Sequence, residues 1–488
     1  TCNMSESPIP MRRPVSNRRH FHAAFAHHQQ VYLPTMMQGE LNMTTLPREL
    51  DLLIVPRWIV PVVPHGQVLE NHALAVHQGR IVGIVPVASA NALNPRERRD
   101  LPDHVLIPGL INAHGHAAMT LFRGLADDLP LMTWLTDHIW PAEGRWVNAD
   151  FVRLGTDLAI AEMLRGGTTC FSDMYFFPDV AAAAAMDAGI RAQLCFPVID
   201  NPIPGARNAE EAIAKGLRLR DDTRHNGLIS VAFGPHAPYT VGDENLTRIR
   251  TLADELDMPI HMHLHETAGE VADAVAQTGL RPLRRLQQLG LLSPRLQAVH
   301  VTEINDEDLD LLVEHGVQLI HCPESNLKLA SGMMPVQRLL DAGLNVALGT
   351  DGAASNNDLD MLGEMRTAAM LAKIVAGAPT ALDAHSALHM ATLAGARALG
   401  LDEETGSIEV GKAADLTAVN LSGLAQQPLY HPVSQLLYTC SASQVSDVWV
   451  AGRCKLRDGQ LTEIDPQPIL QQARSLAELI AKGDTHES

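Results

Sequence analysis

No run of eighteen or more apolar residues occurs in the 488 residues, which excludes a transmembrane helix. Cations are scarce as well. Only 37 Lys and Arg stand against 56 Asp and Glu, a formal net charge of −19 at pH 7. A nucleic-acid backbone demands clustered cations, so the balance argues against it as the main partner, whereas one anionic group on a small ligand is compatible. The six cysteines, Cys2, Cys170, Cys195, Cys322, Cys440 and Cys454, include no C-x-x-C pair. In a chain this long they read as buried or incidental thiols of a reducing compartment, and a cytoplasmic location is expected. No G-x-G-x-x-G opens a helix, which weighs against a doubly wound dinucleotide fold.

A secretory leader is not expected, because the first 42 residues carry Arg12, Arg13, Arg18 and Arg19 but no apolar core before a cleavage site. That stretch reads as a disordered or appended extension, with Met43 as a natural start. Its His20, His22, His27 and His28 suit a solvated tail better than a metal site.

What is present is ordinary for a soluble enzyme: 46% hydrophobic and 19% charged residues, enough for one large domain and a smaller one. From about residue 50 to 105, short β-rich runs such as Leu52-Leu53-Ile54-Val55 and Ile81-Val82-Gly83-Ile84-Val85 are punctuated by Gly and Pro. Beyond residue 106 strand-like runs (168–172, 192–196, 228–233, 260–264, 317–321, 346–349) alternate with helical ones (151–165, 180–188, 245–256). Repeated βα units over some 300 residues predict an α/β fold, a (β/α)8 TIM-like barrel. Short strands return after residue 406, and 469–480 is amphipathic. The expected organisation is an extension over 1–47, a barrel over 106–405, and a helix and tail over 466–488. The segments 48–105 and 406–465 join in one small β-sandwich domain, since neither buries a core alone.

The chemistry gathers where apolar runs end. His114-Gly115-His116 follows Val105-Leu106-Ile107-Pro108-Gly109-Leu110-Ile111. Residues i and i+2 of a strand project from one face, so the two imidazoles can share a metal. An H-x-H pair alone is a weak signal. Here His263-Leu264-His265-Glu266 follows the strand-like Pro259-Ile260-His261-Met262, His300 follows Leu296-Gln297-Ala298-Val299, and Asp351 follows Val346-Ala347-Leu348-Gly349-Thr350. The C-terminal ends of barrel strands are where active sites form, and imidazoles with a carboxylate suit zinc or another borderline divalent ion. Unrelated core or loop histidines are the bland alternative, and five agreeing positions weigh against it.

These residues are similar to those of the amidohydrolase superfamily, and the chain resembles in particular the 5-methylthioadenosine/S-adenosylhomocysteine deaminases and the related chlorohydrolases. The likeness runs from about residue 50 to 458 and rests on Pro108-Gly109-Leu110-Ile111-Asn112-Ala113-His114-Gly115-His116, Phe233-Gly234-Pro235-His236-Ala237-Pro238-Tyr239, Cys322-Pro323-Glu324-Ser325-Asn326-Leu327-Lys328-Leu329 and Leu348-Gly349-Thr350-Asp351-Gly352-Ala353-Ala354-Ser355-Asn356-Asn357. The resemblance implies that His114, His116, His263 and Asp351 hold one zinc per chain, with Fe2+ as another candidate. It implies that Glu266 moves protons, that His300 orients the attacking water and that Asp351 takes that water's proton. A mononuclear site is expected, because 228–233 lacks the lysine that bridges two metals in some relatives.

By the same resemblance Glu143 binds ribose hydroxyls, His236 contacts the purine and Arg207 meets a substrate carboxylate. The second arginine of relatives that accept a homocysteine tail is replaced near Phe196, which favours methylthioadenosine. Trp134, Leu121 and Phe122 are candidates for an apolar wall. The expected reaction is hydrolytic deamination of an adenosine-type nucleoside with release of ammonia. The alternatives are hydrolysis of a free base or triazine, which would give Glu143 no ribose to read, and a barrel that has lost catalysis. The expected partner is a small nucleoside, without nucleic acid or membrane; a homodimer or higher homo-oligomer is compatible.

Overall fold

The computed structural model describes residues 46, 47 and 49–483. The His20, His22, His27 and His28 cluster lies outside the described residues.

Eight strands run in chain order around a barrel: Leu110–Gly115, Thr168–Asp173, Arg191–Val198, Ile229–Pro235, Ile260–Leu264, Leu296–His300, Gln318–His321 and Val346–Leu348. Every neighbouring pair is parallel. The strands read as continuous apolar runs because helices cover one face and the barrel interior the other. The first and eighth strands approach where the Asp351 amide donates to the His114 carbonyl at 3.0 Å. Gly349 makes this possible: a Cβ there would stand 2.7 Å from the His114 nitrogen. The α/β barrel expected from the alternating pattern is the fold observed.

The N- and C-terminal segments meet in a mixed nine-stranded sheet. Its seam is the antiparallel pairing of Leu416–Asn420 with Pro95–Pro108. One point differs from the sequence reading: the apolar run 105–111 is shared between both sheets. The strand Pro95–Pro108 ends in the mixed sheet and Leu110–Gly115 begins the barrel. Gly109 lies between them, where a Cβ would fall 2.0 Å from Thr169 Oγ1. Nearby, Arg191 and Asp415 form a buried ion pair (Nε to Oδ2 2.5 Å) that ties the third barrel strand to the segment entering the mixed sheet.

The predicted helices are present, and the first and last of them begin at side-chain caps, Asn148 and Asp465. The expected 151–165 is Ala149–Arg165, begun by Asn148, whose Oδ1 accepts from the Phe151 amide. The final helix is Pro466–Lys482. Among the described residues no helix is long and apolar enough to cross a membrane. Cys170, Cys195, Cys322, Cys440 and Cys454 are all free thiols.

A π-helical turn, Trp134–Ile139, leads into the α-helix Trp140–Trp146. Pro141 at the start of that helix lacks an N–H to continue regular pairing with the preceding turn. The wider turn spaces residues by five rather than four, so Trp134, Ile139 and Glu143 all face one cavity.

Candidate metal centre and substrate cavity

At the C-terminal ends of the barrel strands lies a cavity of about 370 Å3. His116, His263, His300, Glu266 and Asp351 line its floor, and Glu143, Tyr175 and His236 its side. The rest is mainly apolar: Leu131, Trp134, Leu135, Ile139, Trp140, Met174, Phe176, Ile199 and Ile203, with three prolines. No Arg or Lys lines it.

On the floor, ligand atoms of His114, His116 and Asp351 lie within 4.8 Å of one another, as do those of His114, His263 and His300. Asp351 Oδ1 is 3.4 Å from His114 Nε2 and 3.2 Å from His116 Nε2. The backbone contributes to this convergence, since His300 (φ 76°), the last residue of its strand, and Asp351 (φ 61°), just past its strand, adopt left-handed conformations. Such strain in non-glycine residues concentrates at functional sites.

Each ring is held by its other nitrogen. His116 Nδ1 donates to the Met174 carbonyl (2.6 Å) and His263 Nδ1 to the His236 carbonyl (2.8 Å). His114 Nδ1 instead lies 2.8 Å from His261 Nε2, and His261 Nδ1 lies 2.7 Å from Gln297 Oε1. His300 Nδ1 meets Asn326 Oδ1 at 2.8 Å. Asp351 Oδ2 accepts from Ser325 Oγ (2.7 Å) and Ser355 Oγ (3.2 Å), while its Oδ1 accepts from the Gly352 amide.

The electrostatics are mixed: against its burial, Asp351 raises the His116 imidazole to about 9, whereas the other two imidazoles of the proposed set are lowered. Burial holds the His114 and His263 imidazoles well below their usual pKa, hence neutral, the form that ligates metals. Burial opposes the Asp351 charge, yet His114 and His116 hold its carboxyl well below the usual range. His114 Nε2 is buried without a hydrogen-bond partner. His114 belongs to both triads, and its unpaired buried nitrogen among imidazoles and a carboxylate fits a divalent ion.

Glu266 stands beside this cluster, its Oε2 3.9 Å from His300 Nε2 and its Oε1 accepting from Ser331 Oγ at 3.2 Å. Burial raises its pKa. The Glu270 carboxylate takes the backbone N–H groups of His265 and Glu266, which fixes the turn that presents Glu266. Glu143 is 6% exposed, and burial pushes its carboxyl up to about 7 against the opposing Tyr175 hydroxyl and His116. His236 Nδ1 pairs with Thr240 Oγ1 at 3.0 Å, and burial lowers its pKa to about 4.

Thus His114, His116, His263, Asp351, Glu266, His300, Glu143 and His236 come together. Arg207 does not: its side chain is 88% exposed and paired with Glu211 outside the cavity. Trp134 lines the cavity, but Leu121 and Phe122 do not; Phe122 packs on Phe151 in the core. The sequence reading gave no roles to His261, Gln297, Tyr175, Ser325, Asn326 or Ser355. The alternation His261, His263, His265 was a usable signal for the first, and the stretch 322–329 for two of the others.

The amidohydrolase family model matches residues 105–455. The 5-methylthioadenosine/S-adenosylhomocysteine deaminase of Saccharophagus degradans is 52% identical over 424 residues, 87% of this chain and 95% of that protein. A 5'-deoxyadenosine deaminase of Methanothermobacter thermautotrophicus is 44% identical over 84% of this chain and 95% of its own length. The crystal structure of an adenosine deaminase from Xanthomonas campestris with bound zinc superposes with a TM-score of 0.88 at 53% identity, covering 90% of this chain and 100% of that one. With this barrel, this cluster and these relatives, the chain belongs to the amidohydrolase family.

Proposed function

We propose that this enzyme hydrolytically removes the 6-amino group of adenosine-type nucleosides, with 5'-methylthioadenosine preferred and 5'-methylthioinosine and ammonia as products. The observation that carries the reading is one cavity joining a histidine–carboxylate cluster, a buried Glu143 and an apolar, cation-free wall. A carboxylate accepts two hydrogen bonds from vicinal ribose hydroxyls. The apolar wall suits a methylthio group. With Arg207 outside the cavity, the carboxylate of a homocysteine tail finds no cationic partner there.

His114, His116, His263 and Asp351 would hold a single zinc ion. When bound, zinc supplies a Lewis acid that brings the ionisation of water close to neutral pH. His300 holds the attacking water through Nε2, and Asp351 takes its proton as oxygen bonds to C6. Glu266, with its raised pKa, protonates a ring nitrogen, regains the proton that Asp351 took from water, supplies it to the departing amine as the C6–N bond breaks, and takes up the C6 hydroxyl proton as the carbonyl forms. His236, held neutral, is placed to contact the purine. Five free thiols support a reducing, cytoplasmic setting. The seam between the terminal segments supports reading 48–105 and 406–465 as one β domain beside a barrel domain over 106–405.

Steady-state ammonia release from adenosine, methylthioadenosine, adenosylhomocysteine, guanine and cytosine tests the reading. Methylthioadenosine should lead, with adenosylhomocysteine well behind. A free base turned over faster than any riboside would refute it.

A further inference from the structure

We infer that His261 and Gln297 are positioning residues that lock His114 in the tautomer whose Nε2 lone pair faces the cluster. The inference rests on the reading of His114 as a metal ligand. Of the three histidines in the proposed ligand set, His116 and His263 have their tautomers set by backbone carbonyls, which can only accept. His114 has no such carbonyl. Its Nδ1 faces another imidazole, and an imidazole can either donate or accept.

The ambiguity is removed two residues further out. The Ala398 carbonyl ends the helix Leu393–Ala398 and belongs to the last turn, where carbonyls lack partners within the helix. It can only accept, so the Gln297 amide nitrogen, 2.7 Å away, donates to it. That orients the amide and turns Oε1 toward His261 Nδ1, where it accepts at 2.7 Å. The His261 proton is therefore on Nδ1. His261 is fully buried, and among the described residues no carboxylate pairs with it. A second proton there would be a buried charge without a counter-ion, so Nε2 carries a lone pair.

That lone pair accepts from His114 Nδ1 at 2.8 Å. The two ring planes lie within 19° of each other with centroids 5.0 Å apart, as an in-plane N–H to nitrogen bond requires. With its proton on Nδ1, His114 presents a bare Nε2, the buried nitrogen that has no hydrogen-bond partner. A helix end behind the barrel floor is thus coupled through two side chains to one ligand. Without the relay, the His114 proton is free to occupy Nε2, where it competes with the metal.

The test compares His261→Leu, which removes both ring nitrogens, with His261→Gln, whose amide oxygen can still accept from His114 Nδ1. Zinc affinity of the metal-free proteins is measured by competition with a chromophoric chelator. The His114 tautomer is read from 15N shifts of histidine-labelled protein. H261L should bind zinc about 10–100-fold more weakly and show the Nε2–H tautomer, while H261Q should recover most of the affinity. H261L binding zinc as tightly as the unaltered protein overturns the relay, as does H261Q behaving like a folded H261L. If H261L does not fold, Gln297→Met breaks the same chain one residue further out and is judged by the same two readouts. His114→Ala separates the two ideas: undiminished zinc affinity in that variant refutes the ligand reading itself, not only the relay.

Discussion

Replacing Glu143 with alanine is the sharpest test of what the cavity reads. Glu143 is buried on the face of the Trp140–Trp146 helix that meets the cavity, and its carboxyl is pushed up to about 7. A carboxylate gripping two ribose hydroxyls makes two charge-assisted hydrogen bonds, each worth about 1.5–3 kcal/mol. Their loss is at least about 3 kcal/mol, or on the order of 10²-fold in kcat/KM. Because burial pushes the carboxyl up to about 7 and the ionised form is the stronger acceptor, the loss on mutation should grow as the pH rises above 7. The assay is a cycle: unaltered enzyme and Glu143→Ala, each with the riboside and its 2',3'-dideoxy analogue, followed by ammonia release. The dideoxy compound should be poor with the unaltered enzyme, and the mutation should add little further loss to it. Equal discrimination by both enzymes would show that Glu143 does not read the sugar. A free-base substrate would then become the stronger reading.

Metal analysis should find about one zinc per chain, and chelation should abolish turnover until zinc is returned; two equivalents would overturn the mononuclear site. His263→Ala should lose metal and activity together. Glu266→Gln keeps the shape but not the ionisable proton, so it should retain metal while turnover falls about 10²–10⁴-fold; a loss below about tenfold would remove Glu266 from the proton path. Asp415→Ala leaves the buried Arg191 with Glu404 as its remaining carboxylate partner and should destabilise the fold by about 1–3 kcal/mol in denaturant unfolding. A change under about 1 kcal/mol there would show that the pair does not hold the sheet to the barrel.

Much of this was legible in the chain itself. Strand alternation, helix periodicity and the polar residues closing each apolar run arise from local chemistry, which is why the barrel and the residues around its mouth could be named in advance. The H-x-H spacing placed two imidazoles on one face because side chains of a strand repeat every second residue. Tertiary structure decided the rest. The same local pattern surrounds Gly109, yet only the close packing against Thr169 shows that one apolar run serves two sheets. Arg207 carries a charge suited to a ligand, but its loop points into solvent and pairs with Glu211. The π-helical turn that swings Glu143 into line with Trp134 has no signature in spacing. The tautomer of His114 depends on His261, Gln297 and Ala398, which lie 147, 183 and 284 positions away along the chain. Residue types and periods are properties of neighbours in sequence. Which nitrogen bears a proton, and which charge faces a cavity, are set by groups that meet only after folding.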